Sequence, residues 1–501
     1  MKSVWLSPAA FLFVAVPLGA LAQDQQVSEE IIVAQAQPAQ APPAPATPPP
    51  TQDPSSPTKQ EQAGAVRGAP PPATIKIGAV SLTPYGTIIA SSHWNTGGFG
   101  ANPCSATCET AEATGAATSS DFPNFANGMP GSFIMSSRLS RFGVNLDLPT
   151  EGLPGTTLKG QVEIDFGGGF TTTGNSFQWY VPVPRLRLAN STLRFKLGDT
   201  ASASVLAGLA PGLLAPLFGF RPSFHTPIFY FAGNLWSRSP QFRVFGDFGS
   251  DVALTWALAM LSPLSNIADT LSTQAMPNDF GPGNRARMPD FEARVGVLVK
   301  QDKKTVADVG VSGHVGREYY VLTGQDKDVD SWGTALDVNL NFGFVGVRGE
   351  VFAGMNLDSN NGNFPGAFPA PAATAANVNY AAGGVRIVRA AGSGLPDNVH
   401  PIHTRGGWAQ LIVTAIPKLQ LVGGYGFEDP NDEELGDPVT NNTFKIRNAH
   451  IYGCAMLSPT KAWFTAFEVI QTTTTYAAAL PNGLEPDVSS EQFTLSVGAT
   501  F

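Results

Sequence analysis

The chain is 501 residues long, with 43% hydrophobic residues, 10% aromatics, only 14% charged residues and a net charge of −9. So little charge at a mean hydropathy of +0.01 is unusual for a soluble enzyme, and the acidic balance excludes a general nucleic-acid binder, which would carry a basic patch. No Gly-x-Ser-x-Gly elbow, His-Glu-x-x-His helix or phosphate-binding loop is present, so the usual signatures of hydrolases, zinc peptidases and nucleotide enzymes are missing.

The chain opens with Lys2, an apolar run through Phe11–Val16 and the triplet Ala20-Leu21-Ala22. This order predicts a secretory signal over 1–22. Residues 23–75 are mostly Ala, Pro, Gln, Thr and Ser, densest in proline around Pro42–Pro50. Such a segment buries too little apolar surface to fold and is expected to be a disordered, extended periplasmic tether. It either contacts the cell wall or a partner, or is a leader without a task. No later stretch offers the 18 or more unbroken apolar residues of a membrane-crossing helix. The nearest, 205–220, is broken by Pro211 and Pro216. A membrane protein without such helices must be a closed barrel, because lipid cannot satisfy open backbone groups.

From residue 76 to 501 the pattern is one of hairpins. Short connections fall at 149–156, 197–200, 248–250, 300–304, 342–344, around Pro417 and at 457–461. Long ones fall at 95–132, 168–183, 211–238, 261–287, 324–331, 356–402, 429–442 and 471–489. Their alternation predicts about sixteen strands, with 14 and 18 also open. The weakest strand is 201–209, and 379–388 is a candidate extra hairpin arm inside the sixth long loop. Alternation at period two supports these assignments. In 157–166, Leu158, Val162, Ile164 and Phe166 oppose Lys159, Gln161, Glu163 and Asp165. The segment 493–501 places Phe493, Leu495, Val497, Ala499 and Phe501 on one face, against Thr494, Ser496, Gly498 and Thr500. One lipid-facing and one lumen-facing side would produce this alternation, and a last strand ending in Phe resembles the insertion signal of outer-membrane barrels. The predicted fold is all-β: a transmembrane antiparallel β-barrel with an inward-folded constriction loop.

Parity places Arg141, Arg185, Arg187, Arg243, Arg294 and Arg348 on the inner face. Arginine rings select anions, and each guanidinium can grip a carboxylate with two parallel hydrogen bonds. The carboxylates Glu163, Asp165, Glu292, Asp308, Glu318, Asp337 and Glu350 also point inward by parity. Mutual neutralisation in a rigid wall is therefore the competing account for any one arginine. The third long loop, 211–238, holds Arg221, His225 and Arg238, seven aromatic residues and no acid. So apolar a loop marks a contact. Folded inward it forms the constriction, with Arg221 and His225 as selectivity groups; the alternative is packing against a neighbouring subunit.

Cys104 and Cys108 lie in the first long loop, where an oxidising compartment favours a local disulfide. A metal site there lacks two ligands. Cys454 reads as a buried small residue, and the acidic run 428–434 as a solvated surface. No metal and no cofactor are expected. Ser312 near His314 offers a remote barrel-wall hydrolase, although residues two apart on a strand lack triad geometry. A non-conducting structural or adhesive barrel is the other rival.

Several short motifs resemble a known family. Ser137-Arg138-Leu139-Ser140-Arg141-Phe142-Gly143 is similar to the second-strand motif of trimeric porins. Pro184-Arg185-Leu186-Arg187-Leu188-Ala189, followed after a turn by Val205-Leu206-Ala207-Gly208, resembles the arginine-rich hairpin of the DcaP-like porins. Arg405-Gly406-Gly407-Trp408-Ala409-Gln410-Leu411 resembles a later strand of that group. The resemblance covers most of 76–501 and implies a sixteen-stranded homotrimer in outer-membrane lipid, a loop folded into the pore, and uptake of small anions such as dicarboxylates. It departs from the family in two places. Asn190 stands where an aromatic follows the Arg-x-Arg-x-Ala run, and the Pro-rich tether replaces a periplasmic helical segment. Apolar residues on both faces of 408–416, among them Trp408, Leu411, Ile412 and Val413, are a further expected mark of a subunit contact.

Overall fold

The computed structural model describes residues 73–96, 132–138, 140–166, 184–222, 228–230, 232–263, 282–302, 304–322, 325–357, 360, 377–378, 384–388, 398–435, 445–476 and 487–501. The predicted signal segment, most of the tether, Cys104, Cys108 and His225 lie outside the described residues.

Eighteen strand segments form one antiparallel sheet. Two of them complete other strands, which leaves sixteen staves. In chain order these are β1 (Val80–Asn95), β2 (Ser132–Ser136 continued by Arg141–Leu148), β3 (Thr156–Asp165), β4 (Arg185–Lys196), β5 (Ala201–Pro211), β6 (Arg238–Gly249), β7 (Val252–Leu261) and β8 (Asp290–Gln301). The second half is β9 (Lys304–Leu322), β10 (Gln325–Asn341), β11 (Val345–Met355), β12 (His403–Ile416), β13 (Leu419–Pro430), β14 (Lys445–Leu457), β15 (Trp463–Tyr476) and β16 (Asp487–Thr500). Each pairs with its chain neighbour, and β16 returns to β1 from Thr87↔Thr500 to Asn95↔Gln492. The sheet is therefore closed, and no central edge is left to attract another strand.

Two details show how the sequence makes the closure. Gly86 exchanges backbone hydrogen bonds with Phe501, each 3.1 Å. A Cβ on Gly86 would meet the Phe501 ring at 2.6 Å, so only glycine lets the terminal aromatic lie there. Below that point the short strand Ile75–Ile77 pairs with Val80–Leu82 and covers the edge that β16 is too short to reach. In β2 the ladder breaks between Ser136 and Arg141. Here the Ser140 hydroxyl accepts the Ile89 amide at 3.1 Å and donates to Ser137 O at 2.8 Å, replacing the lost rung.

The outer face is apolar. Val295, Val297, Val311, Val351 and Leu411 are exposed outward. Phe248, Phe342, Phe344, Trp463 and Phe501 sit beside the short turns, and Trp94, Phe133, Phe291 and Trp332 lie toward the other end. An aliphatic band between two aromatic girdles is what a lipid-embedded barrel requires.

One predicted boundary needs correction. Residues 325–331 belong to β10, so the fifth long connection shrinks to 323–324. Above the Val315↔Trp332 pair the outer face changes character: Arg317 bonds Asp330 at 2.7 Å and Tyr319 bonds Asp326 at 2.6 Å. This hairpin adds roughly 20 Å of extended chain beyond the apolar band. The expected extra arm in the sixth long loop is present: Asn377–Val378, Val385–Val388 and Asn398–Pro401 form a small separate sheet. It meets the tall hairpin where Lys327 donates to Asn398 and to the carbonyl of Val399.

Candidate functional site: the pore loop and its wall

The described residues of the connection 212–237, namely 212–222, 228–230 and 232–237, fold inside the barrel. Leu213, Leu217, Phe220, Ile228, Phe229, Leu235 and Trp236 are all buried. What holds it is a row of acceptors on the wall. Glu292 of β8 accepts the amides of Leu213 and Leu214, and Ser312 of β9 accepts that of Ala215 at 3.2 Å. Glu350 of β11 accepts the amide of Leu217 at 2.5 Å, and Gln410 of β12 accepts that of Phe220 at 2.6 Å. Gln410 returns a bond to Phe220 O at 3.1 Å. A loop buried in this way must have its backbone donors met by side chains. Four strands, β8, β9, β11 and β12, supply acceptors for that purpose.

Farther along, Arg221 bonds Gln492 of β16 at 3.3 Å and lies 3.5 Å from Glu468 of β15. Tyr452 donates to the same carboxylate at 2.7 Å. The returning limb rests on glycines. Phe229 packs on Gly424 and Gly426, where a Cβ would approach its ring to 2.7 and 2.8 Å, and it stacks on Trp408 with centroids 5.7 Å apart. Phe229 itself has φ 67°, a strained backbone for a bulky residue that the tight seat over-determines. The loop thus lines the inner wall from β8 round to β16.

Two expectations change in meaning here. Trp408 and Ile412 face inward onto Leu217, Phe220 and Phe229, so the double apolar face of 408–416 is accounted for by the loop and is no evidence of a subunit contact. Ser312 is engaged by the loop amide, while His314 bonds Glu292 at 3.3 Å and Ser331 at 3.1 Å. The two side chains serve different partners. Cys454 is buried in the same inner cluster as Phe229 and Trp408. In the acidic run, Glu434 accepts both the amide and the ring nitrogen of His403, and Asp429 pairs with Arg405.

The predicted arginines fall into distinct settings. Arg294 bridges Asp337 at 2.5 Å and Asp308 at 2.8 Å. Arg243 donates to Gln241 and to the carbonyl of Pro211, bracing the loop's root. Arg348 reaches Phe218 O at 3.4 Å. Arg185 and Arg187 converge on β3: Arg185 pairs with Asp165 at 2.6 Å, and Arg187 with Glu163 at 2.8 Å and Asp165 at 2.9 Å. Arg141 acts electrostatically on both carboxylates and Arg238 on Glu163. Arg238 lies 4.5 Å over the Trp236 ring. Four guanidinium groups therefore surround two carboxylates, and the Arg185 side chain keeps 23% of its surface exposed.

Sequence reasoning marked Glu292 and Glu350 as inward charges but missed that they hold the loop, and it passed over Gln410, Gly424 and Gly426. Their task is to meet backbone amides and a ring face. The glycines and tryptophan of the Gly-Gly-Trp-Ala-Gln run are a usable sign of close packing in this strand.

No protein-family model matches the chain, and no curated protein matches it in sequence. Among solved structures it is similar to the outer membrane channel DcaP of Acinetobacter baumannii, with a TM-score of 0.57 at 13% identity over 86% of this chain and 100% of that one. A looser likeness is to OmpF of Salmonella typhi, with a TM-score of 0.47 at 10% identity over 86% of this chain and 100% of that one. At such identities the likeness is one of architecture. By fold, the chain is a closed sixteen-stranded antiparallel β-barrel of the architecture seen in that channel.

Proposed function

We propose that the protein is an outer-membrane porin, a passive channel for small hydrophilic solutes that favours anions such as dicarboxylates. The observation that carries this reading is the gathering of guanidinium groups on β2–β4 and the loop root, where Arg185 and Arg187 converge on Glu163 and Asp165 and Arg141 and Arg238 act on the same acids. Guanidinium groups at a narrow, partly desolvated passage favour negative solutes over positive ones. A dicarboxylate suits paired arginines because each carboxylate can be gripped through two hydrogen bonds. The pore loop contributes no acid; its Arg221 is buried against Glu468 and Gln492, and its His225, in the undescribed part, is the remaining candidate selectivity group.

On this reading the long-loop end faces outside, the segment before residue 76 lies in the periplasm, Cys104 and Cys108 form a disulfide in the first outer loop, and three copies assemble. The test is a planar-bilayer recording of the purified full chain in a potassium chloride gradient, with succinate then added to one side. Chloride-selective current partly blocked by millimolar succinate is expected. A cation-selective or non-conducting parent would overturn the reading, the latter in favour of a structural or adhesive barrel.

A further inference from the structure

Two crevices open on the outer wall at the long-loop end, and their linings differ in charge. One, of about 610 Å³, is bordered by Trp332, His403 and Arg405 but also by Asp429, Asp432 and Glu433. The other, of about 590 Å³, lies between β6, β7 and the segment that leads into β8. Its walls are Phe242, Met260, Leu261 and Met288, its rim carries Asn284 and Arg287, and among the described residues no acidic side chain borders it. Phe242 and Met260 are cross-strand partners, both exposed outward from the barrel, at 62% and 41%. The crevice is thus open to whatever surrounds the apolar band. Its volume falls in the range of specific ligand sites, about 300–1,000 Å³.

We propose that this crevice binds an acyl chain of the phosphorylated glycolipid of the outer leaflet, with Arg287 at the phosphate. The inference rests on the outer-membrane reading above, which puts this end of the barrel in the outer leaflet. The apolar walls match a hydrocarbon chain. The exposed Arg287 stands at the rim, where a headgroup would lie, and basic residues at that level recognise anionic lipid headgroups. The neighbouring acidic crevice would repel the same phosphate. Charge complementarity therefore selects the occupant and distinguishes the two openings.

The test is native mass spectrometry of the full chain, purified in mild detergent and titrated with lipid A. The parent, Met260→Trp (which fills the crevice), Arg287→Glu and a control, Val311→Trp, on another part of the lipid-facing surface are compared. The parent is expected to retain one lipid A per subunit. Met260→Trp and Arg287→Glu should each lower retention at least about tenfold, and Val311→Trp should leave it unchanged. Dephosphorylated lipid A should bind the parent as weakly as lipid A binds Arg287→Glu. Equal retention by Met260→Trp, or indifference to the phosphate, would overturn the proposal. Because Arg287 is exposed, its variant reports binding even if the crevice-filling one folds poorly. Bilayer conductance of the same samples keeps a failure here separate from a failure of the porin reading.

Discussion

The wall of β2–β4 and the wall of β8–β12 both present carboxylates to the interior, yet the two sets do opposite things. On β3, Glu163 and Asp165 are outnumbered by guanidinium groups and act as struts that fix the arginines in place. On β8 and β11, Glu292 and Glu350 accept loop amides, Glu292 while also meeting His314 at 3.3 Å and Glu350 while also accepting the Trp408 indole at 2.9 Å. A count of inward charges treats these acids as equivalent. Their partners separate them, one wall fixing guanidinium groups and the other carrying the loop.

The largest effect expected from breaking this contrast is at Arg187. Its side chain is 4% exposed, and Arg187→Ala removes the ion pair to Glu163 and one of the two to Asp165. Removing one partner of a buried ion pair costs about 3–5 kcal/mol, so the heat-induced gel-mobility transition should fall clearly below that of the parent. A parent-like transition would show that the pairing carries no weight.

Glu350→Ala sharpens the other side. It removes the acceptor for Leu217 and Trp408 together, a loss of about 1–3 kcal/mol. With the loop loosened, single-channel recordings should show larger and noisier conductance, and a parent-like trace would mean the loop is held elsewhere. Gly426→Val attacks the same belt from beneath Phe229, where a Cβ already meets Ala232 O at 2.3 Å. Overpacking of this kind costs about 1–3 kcal/mol, and tryptophan fluorescence from Trp408 should shift as the stacked ring moves. The smallest effect belongs to Arg405, 74% exposed beside Asp429. Arg405→Ala should change the unfolding transition by less than about 0.5 kcal/mol, as screened surface pairs usually do.

These residues also show what the sequence could and could not disclose. Alternation between lipid and lumen is written into every stave such as 157–166, and parity placed the inward arginines and carboxylates on the face they occupy. The tall hairpin was misread as a loop because above Trp332 both faces of the strand meet polar surroundings. Arg317, Asp328 and Asp330 stand where an embedded strand would carry apolar residues. The loop's seat was illegible for a different reason. Backbone amides are common to all residues except proline, so Leu213, Leu214 and Phe220 announce nothing about the acceptors they will find. Only the burial of Glu350 and Gln410 on the inner face makes that role visible.

The central claim is that the arginine wall, and not the acid-anchored belt, sets which ions pass. It is tested most directly by reversal potentials in a potassium chloride gradient for the parent, Arg185→Glu and Glu350→Gln. Arg185 is a partly exposed member of its cluster, so reversing its charge alters the passage while Arg187 still braces β3. The account predicts an anion-selective parent, a several-fold fall in the chloride-to-potassium permeability ratio for Arg185→Glu, and little change in that ratio for Glu350→Gln. A cation-selective parent, or an Arg185→Glu channel with parental selectivity, would contradict it.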